Sequence, residues 1–162
     1  MKKSKIENSL DGSILEKTKI MKSVFFKNSY IYIIIIGIVA ISLRLYYVEF
    51  EIPFALDSLE YFLYAYDTSI LGHLPEDYSP ANNGWPAFVS IFFSMFQFDD
   101  PISYMQLQKS ISIIISTLTI VPIYLLCRNY FNKTLSLVGV CIFAFEPRLI
   151  QNSLYGITEP LY

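Results

Sequence analysis

The sequence predicts an all-α, polytopic membrane protein, and three observations carry that prediction. Of the 162 residues, 54% are hydrophobic and 17% aromatic, with mean hydropathy +0.44; soluble domains hold roughly 45–50% apolar residues even with glycine counted. Long apolar runs recur along the chain. Charge is also segregated by sign: Lys2, Lys3, Lys5, Lys17, Lys19, Lys22 and Lys27 precede the first apolar run, whereas residues 50–108 carry eight carboxylates and no Lys or Arg. Lys and Arg collect on the cytoplasmic flanks of spans, so the amino terminus is expected inside and the acidic stretch outside. The expectation is three transmembrane helices, at about 30–49, 110–127 and 134–153, with membrane-lying helices in an outer loop, 50–109, of a cell-membrane protein.

Residues 1–29 form a polar cytoplasmic tail without the small-residue cleavage site of a signal peptide. Within it Ile20–Phe26 reads either as solvated chain or as a short amphipathic helix on anionic lipid. The run Tyr30–Tyr47 holds eighteen residues with Arg44 as its one charge, and at 1.5 Å per residue it reaches roughly 27 Å. Arg44 lies about one turn from the outer end. It is expected to snorkel toward Glu49 and Glu51 as an interfacial anchor, or to touch substrate.

In the outer loop, Leu59, Phe62, Leu63, Tyr66 and Ile70 recur at helical spacing. They predict a helix over 57–71 that Gly72 ends. The sequence Asp57-Ser58-Leu59-Glu60 fits an N-cap Asp with a reciprocal Glu; a catalytic carboxylate is the other reading of Asp57, and the two are compatible. Trp85–Phe98 is a mostly apolar segment of fourteen residues, roughly 21 Å of helix. That is short of the bilayer core, so it reads as re-entrant or interfacial, with a spanning helix, which would put the later RNYFNK turn outside, as the other reading. Ser110–Cys127 is an uncharged second span with Pro122 as a kink site, and the following RNYFNK turn is expected inside. The sequon Asn132-Lys133-Thr134 then stays unmodified.

The third span carries Glu146, Pro147 and Arg148. Glu146 falls roughly 18 Å into that span, where an ionisable group marks a functional candidate, and Arg148 points from another face. Asp57 and Glu159 both fall on the expected outer side, where helix packing would bring them to one cleft; a plain helix-end carboxylate is the other reading of Glu159. Two separated cysteines and a single His73 argue against a His/Cys zinc site. The basic tail is mixed with acids and gives no support to nucleic-acid binding.

The order of ALDSLEYFLYAYDTSILGHLP, NNGWPAFVSIFFSMF, a span closing in LLCRNYFNK, and FEPRLIQNSLYGITEPLY resembles the start of glycosyltransferase family 39. That family contains protein O-mannosyltransferases and bacterial aminoarabinose transferases of the membrane-embedded GT-C class. The resemblance covers residues from about 30 to 162, and Glu146-Pro147 and Thr158-Glu159 keep the family's thirteen-residue spacing. Asp57-Ser58 stands where the O-mannosyltransferases have Asp-Glu, and Gly84-Trp85-Pro86 where a Pro-Pro-Leu run is usual.

The resemblance implies a partial GT-C fold that transfers a sugar from a polyprenyl-phosphate donor to an unknown acceptor on the outer face. Asp57 would be the catalytic carboxylate and Glu159 its assistant, or the two would hold a divalent cation. Lys109 or Arg148 would meet the lipid phosphate, and Glu60 and Glu146 complete the candidate substrate-binding set. Three spans do not enclose a donor cavity by themselves, so the chain is expected to be the N-terminal part of such an enzyme and inactive alone. The rival expectations are a small non-enzymatic membrane subunit or interaction protein, and a transporter fragment with Glu146 and Arg148 at a broken helix.

Overall fold

The computed structural model describes residues 29–54, 56–76 and 83–157, and these form helices joined by turns. The basic tail with Ile20–Phe26, and Thr158-Glu159, lie outside the described residues. Seven helices follow in chain order among the described residues: α1 Ser29–Tyr47, α2 Asp57–Leu71, α3 Gly84–Met95, α4 Pro101–Leu118, α5 Ile120–Tyr130, α6 Lys133–Ala144 and α7 Pro147–Leu154.

The helix ends follow from local chemistry, with one exception. Asp100 caps α4, accepting from Ser103 N at 2.8 Å and Ser103 Oγ at 2.9 Å, and Pro101 fills the first position, where its missing N–H costs nothing. Asn132 caps α6 through Leu135 N at 3.0 Å. Gly72 ends α2 with φ +73 and donates to Thr68 O, as its place in the sequence predicts. The exception is the start of α2. Leu56, not Asp57, holds the N-cap position, with φ 53 and ψ −132, and no side chain caps the helix there. Asp57 is the first helical residue, so the capping box expected from Asp57 and Glu60 does not form.

Two further expectations are corrected. The helix that holds the expected second span starts well before Ser110: α4 and α5 run together as one 30-residue helix from Pro101 to Tyr130, about 45 Å long. Pro122 removes one donor, but Thr119 N reaches Ile115 O at 3.0 Å and Ile123 N reaches Thr119 O at 3.2 Å, so the helix continues past it. Lys109 therefore sits inside a helix rather than before one. The third span is not continuous either, because α6 and α7 meet at a 48° bend. Pro147 cannot donate to the carbonyl four residues back, and the break falls at Phe145-Glu146.

Tyr30–Tyr47 and Pro101–Tyr130 are long and apolar enough to cross a membrane, and α6 with α7 makes a third if the bent pair counts as one span. Helix α3 has twelve residues, about 18 Å, too short to cross unaided.

Two cores hold these helices. Near the first loop, Phe54, Phe62, Trp85, Val89, Phe93, Met105 and Ile111 are buried together. Ring pairs such as Phe62–Phe93 at 5.9 Å and Phe93–Tyr104 at 5.1 Å join α2, α3 and the head of α4, at separations where edge-on aromatic contacts are favourable. Among the spans, Ile33 and Ala40 of α1 meet Ile120 and Tyr124 of α5 and Val140 and Ala144 of α6. Small side chains at these contacts let the helix backbones approach closely.

Candidate functional site

The segment after α1, the head of α2, Lys109 of α4 and the whole of α7 surround one cavity of about 780 Å³. Helix α7 contributes Pro147, Ile150, Gln151 and Leu154, spaced i, i+3, i+4 and i+7 and hence on one face. Ile157 also lines the cavity, as do Tyr47, Glu49, Phe54 and Asp57. The lining is mostly apolar with a few charged and polar groups, the usual make-up of a small-molecule or lipid site.

Asp57 reaches this wall because of the local backbone. Leu56 is a non-glycine residue at positive φ, an uncommon conformation that persists where surrounding structure enforces it. Since α2 does not use the Asp57 carboxylate as a cap, an exposed acid is left at the cavity edge.

Lys109 is 4% exposed, and its ammonium donates to Glu49 O and Ile52 O, each at 2.7 Å. It also lies 5.4 Å from the Phe54 ring centroid, within cation–π range. An ammonium has three donors, so two carbonyls account for two of them, and the group lines the cavity. Lys109 thus folds the 49–54 segment over itself and presents positive charge to the same space as Asp57.

A latch joins this site to the first-loop core. Gly156 O accepts from Trp85 Nε1 at 2.9 Å and from Gln108 Nε2 at 3.0 Å. Gly156 has φ +68, and an added Cβ would stand 3.0 Å from Phe54 Cζ and 3.3 Å from Gln108 Cγ; both the backbone and the space require glycine. The side-chain oxygen of the same residue, Gln108 Oε1, is buried and has no partner among the described residues.

The expected site residues separate clearly. Asp57 and Lys109 share the cavity. Glu60 is exposed on the first turn of α2 and is not on the wall. Glu146, expected deep in a continuous helix, instead caps α7 by accepting from Leu149 N at 2.6 Å, so its carboxylate is engaged at the break. Arg148 is exposed on a face of α7 other than the one lining the cavity. Glu159 lies outside the described residues, two positions beyond Ile157. Among the described residues, no three His, Cys, Asp or Glu converge to hold a metal ion.

Sequence reasoning missed Gln151, the latch through Trp85, Gln108 and Gly156, and the true place of Arg44. Arg44 does not snorkel to Glu49 or Glu51. It is fully buried and bonded to Ala40 O, Ala144 O, Ser116 Oγ and Ser153 Oγ at 3.2 to 3.3 Å. The Tyr155-Gly156 pair after the last apolar residues was the one available signal for the latch, since glycine at a helix end commonly takes positive φ.

No protein-family model, curated protein or solved structure matches this chain.

Proposed function

We propose that the cavity binds a polyprenyl-phosphate-linked sugar on the outer face of the membrane, and that the chain contributes the front part of a membrane glycosyltransferase site. The observation that carries this reading is the pairing of an uncapped carboxylate, Asp57, with a buried ammonium, Lys109, in one apolar-walled cavity next to the spans. Apolar walls suit a polyprenyl chain, and Lys109 offers a point charge to a phosphate. Asp57 is free to take the proton of an acceptor hydroxyl as the sugar C–O bond to phosphate breaks and the new glycosidic bond forms. Glu159 follows the Ile157 wall in sequence and is the second acid of the proposal.

A transport reading has the 48° break between α6 and α7 in its favour, because broken helices line transporter sites. Against it, the start of α7 is already occupied by the Glu146 carboxylate of the same chain.

The test is transfer from a radiolabelled polyprenyl-phosphate sugar in native membranes, where any further part of the enzyme is present. Asp57→Asn should lower transfer roughly a hundredfold or more, the usual scale of general-base loss, with donor binding within about twofold. Unchanged transfer would remove Asp57 from the reaction.

A further inference from the structure

We infer that Arg44 is a positioning residue that locks the bend between α6 and α7, and so sets the cavity wall from inside the membrane. Its four hydrogen bonds reach α1 itself, α4, α6 and α7. Two of them fall on opposite sides of the break: Nη1 donates to Ala144 O, the last residue of α6, and Nε donates to Ser153 Oγ, near the end of α7. In an uninterrupted helix the Ala144 carbonyl would accept from the amide of residue 148; here it accepts from a guanidinium.

The geometry suits arginine in particular. A planar fork with five N–H donors spans acceptors on several helices at fixed angles, whereas an ammonium concentrates its donors at one point. The positive charge also lies at the C-terminal, electronegative end of α6. Ser153 is held in turn, since its hydroxyl accepts from Arg44 and donates to Ile150 O at 2.6 Å. The 48° angle of α7 therefore depends on a side chain from α1 that does not line the cavity. This inference is independent of what the cavity binds.

The experiment measures the bend directly and needs no ligand. In the full chain, with Cys127→Ala and Cys141→Ala, spin labels are placed at Val138→Cys on α6 and Gln151→Cys on α7, both exposed positions, and their distance distribution is recorded in nanodiscs. With Arg44 present the distribution should be single and narrow. Arg44→Gln should broaden it at least twofold, and Arg44→Lys should fall between. Trp85 fluorescence reports whether the separate first-loop core is intact.

If Arg44→Gln does not fold, two milder variants decide. Ser153→Ala removes the Arg44 contact to α7, together with the hydroxyl's own bond to Ile150 O inside α7, and should broaden the distribution, while Ser116→Ala removes the contact to α4, outside the bent pair, and should leave it narrow. An unchanged distribution in Arg44→Gln, or equal broadening by Ser116→Ala and Ser153→Ala, would overturn the bend-lock role.

Discussion

Phe62, Phe93 and Tyr104 pack ring against ring in the first-loop core, whereas the second core sets the small side chains of Ala40, Val140 and Ala144 among Ile33, Ile120 and Tyr124, beside buried Arg44 and the buried Ser112, Ser116, Ser136 and Ser153. The contrast goes with the apolar length of α1 and the 101–130 helix, which suffices to cross a membrane. In water, burying aromatic area is itself the driving force. Between helices in lipid that force is absent, so close backbone approach and interhelical hydrogen bonds carry the association. The cavity sits on the seam: one wall comes from α7, angled by the polar bundle, and the other from a segment anchored on the aromatic core through Phe54 and the Gly156 latch.

The largest effect should come from breaking the aromatic side. Phe93→Ala removes a ring that is 2% exposed and touches both Phe62 and Tyr104, at a cost of about 3–5 kcal/mol. Thermal unfolding followed by Trp85 fluorescence should show a clear loss, while α1 and the 101–130 helix keep their helical circular dichroism.

Separating the two regions at the seam should cost less. Trp85→Phe keeps the ring but deletes the donor to Gly156 O, which should cost about 1–2 kcal/mol. It should also raise the accessibility of a thiol at Ile157→Cys. If that thiol stays as protected as with Trp85 in place, the latch does not hold the wall.

The two Asp positions at helix starts sharpen the comparison further. Asp100→Ala removes a cap that accepts two hydrogen bonds and should cost about 1 kcal/mol. Asp57→Asn touches no cap, so its stability change should stay within about 0.5 kcal/mol even as transfer falls. A stability loss at Asp57 equal to that at Asp100 would return Asp57 to a structural role.

Much of the fold was legible in the sequence because its signals are local. The eighteen-residue run after Ser29, with Arg44 its one charge, reads as a helix long and apolar enough to cross a membrane whatever surrounds it, and Gly72 stops α2 with no help from elsewhere. The start of the 101–130 helix is hard to see in the sequence because Pro101–Gln108 is polar enough to resemble loop, although Asp100-Pro101 is a helix start. Pro147 was visible, but the break it causes depends on Arg44 reaching Ala144 O across the bundle, a contact one hundred residues apart. For the site, Asp57 and Lys109 were legible as charged residues flanking spans. Their shared cavity was not, because it rests on the positive φ of Leu56 and on two loop carbonyls that fold over Lys109. Glu146 misled because a carboxylate mid-run looks functional until the helix ends beside it and its own Leu149 amide claims it.

The proposed site requires a lipid phosphate to sit beside Lys109. A photoreactive polyprenyl phosphate, added to the protein in nanodiscs and mapped by peptide mass spectrometry, should label residues 147–154 and 52–58, and the labelling should drop at least tenfold in Lys109→Met. Labelling confined to the lipid-facing residues of α1, such as Ile31, Ile34 and Ile38, or labelling of α7 that Lys109→Met leaves unchanged, would contradict it.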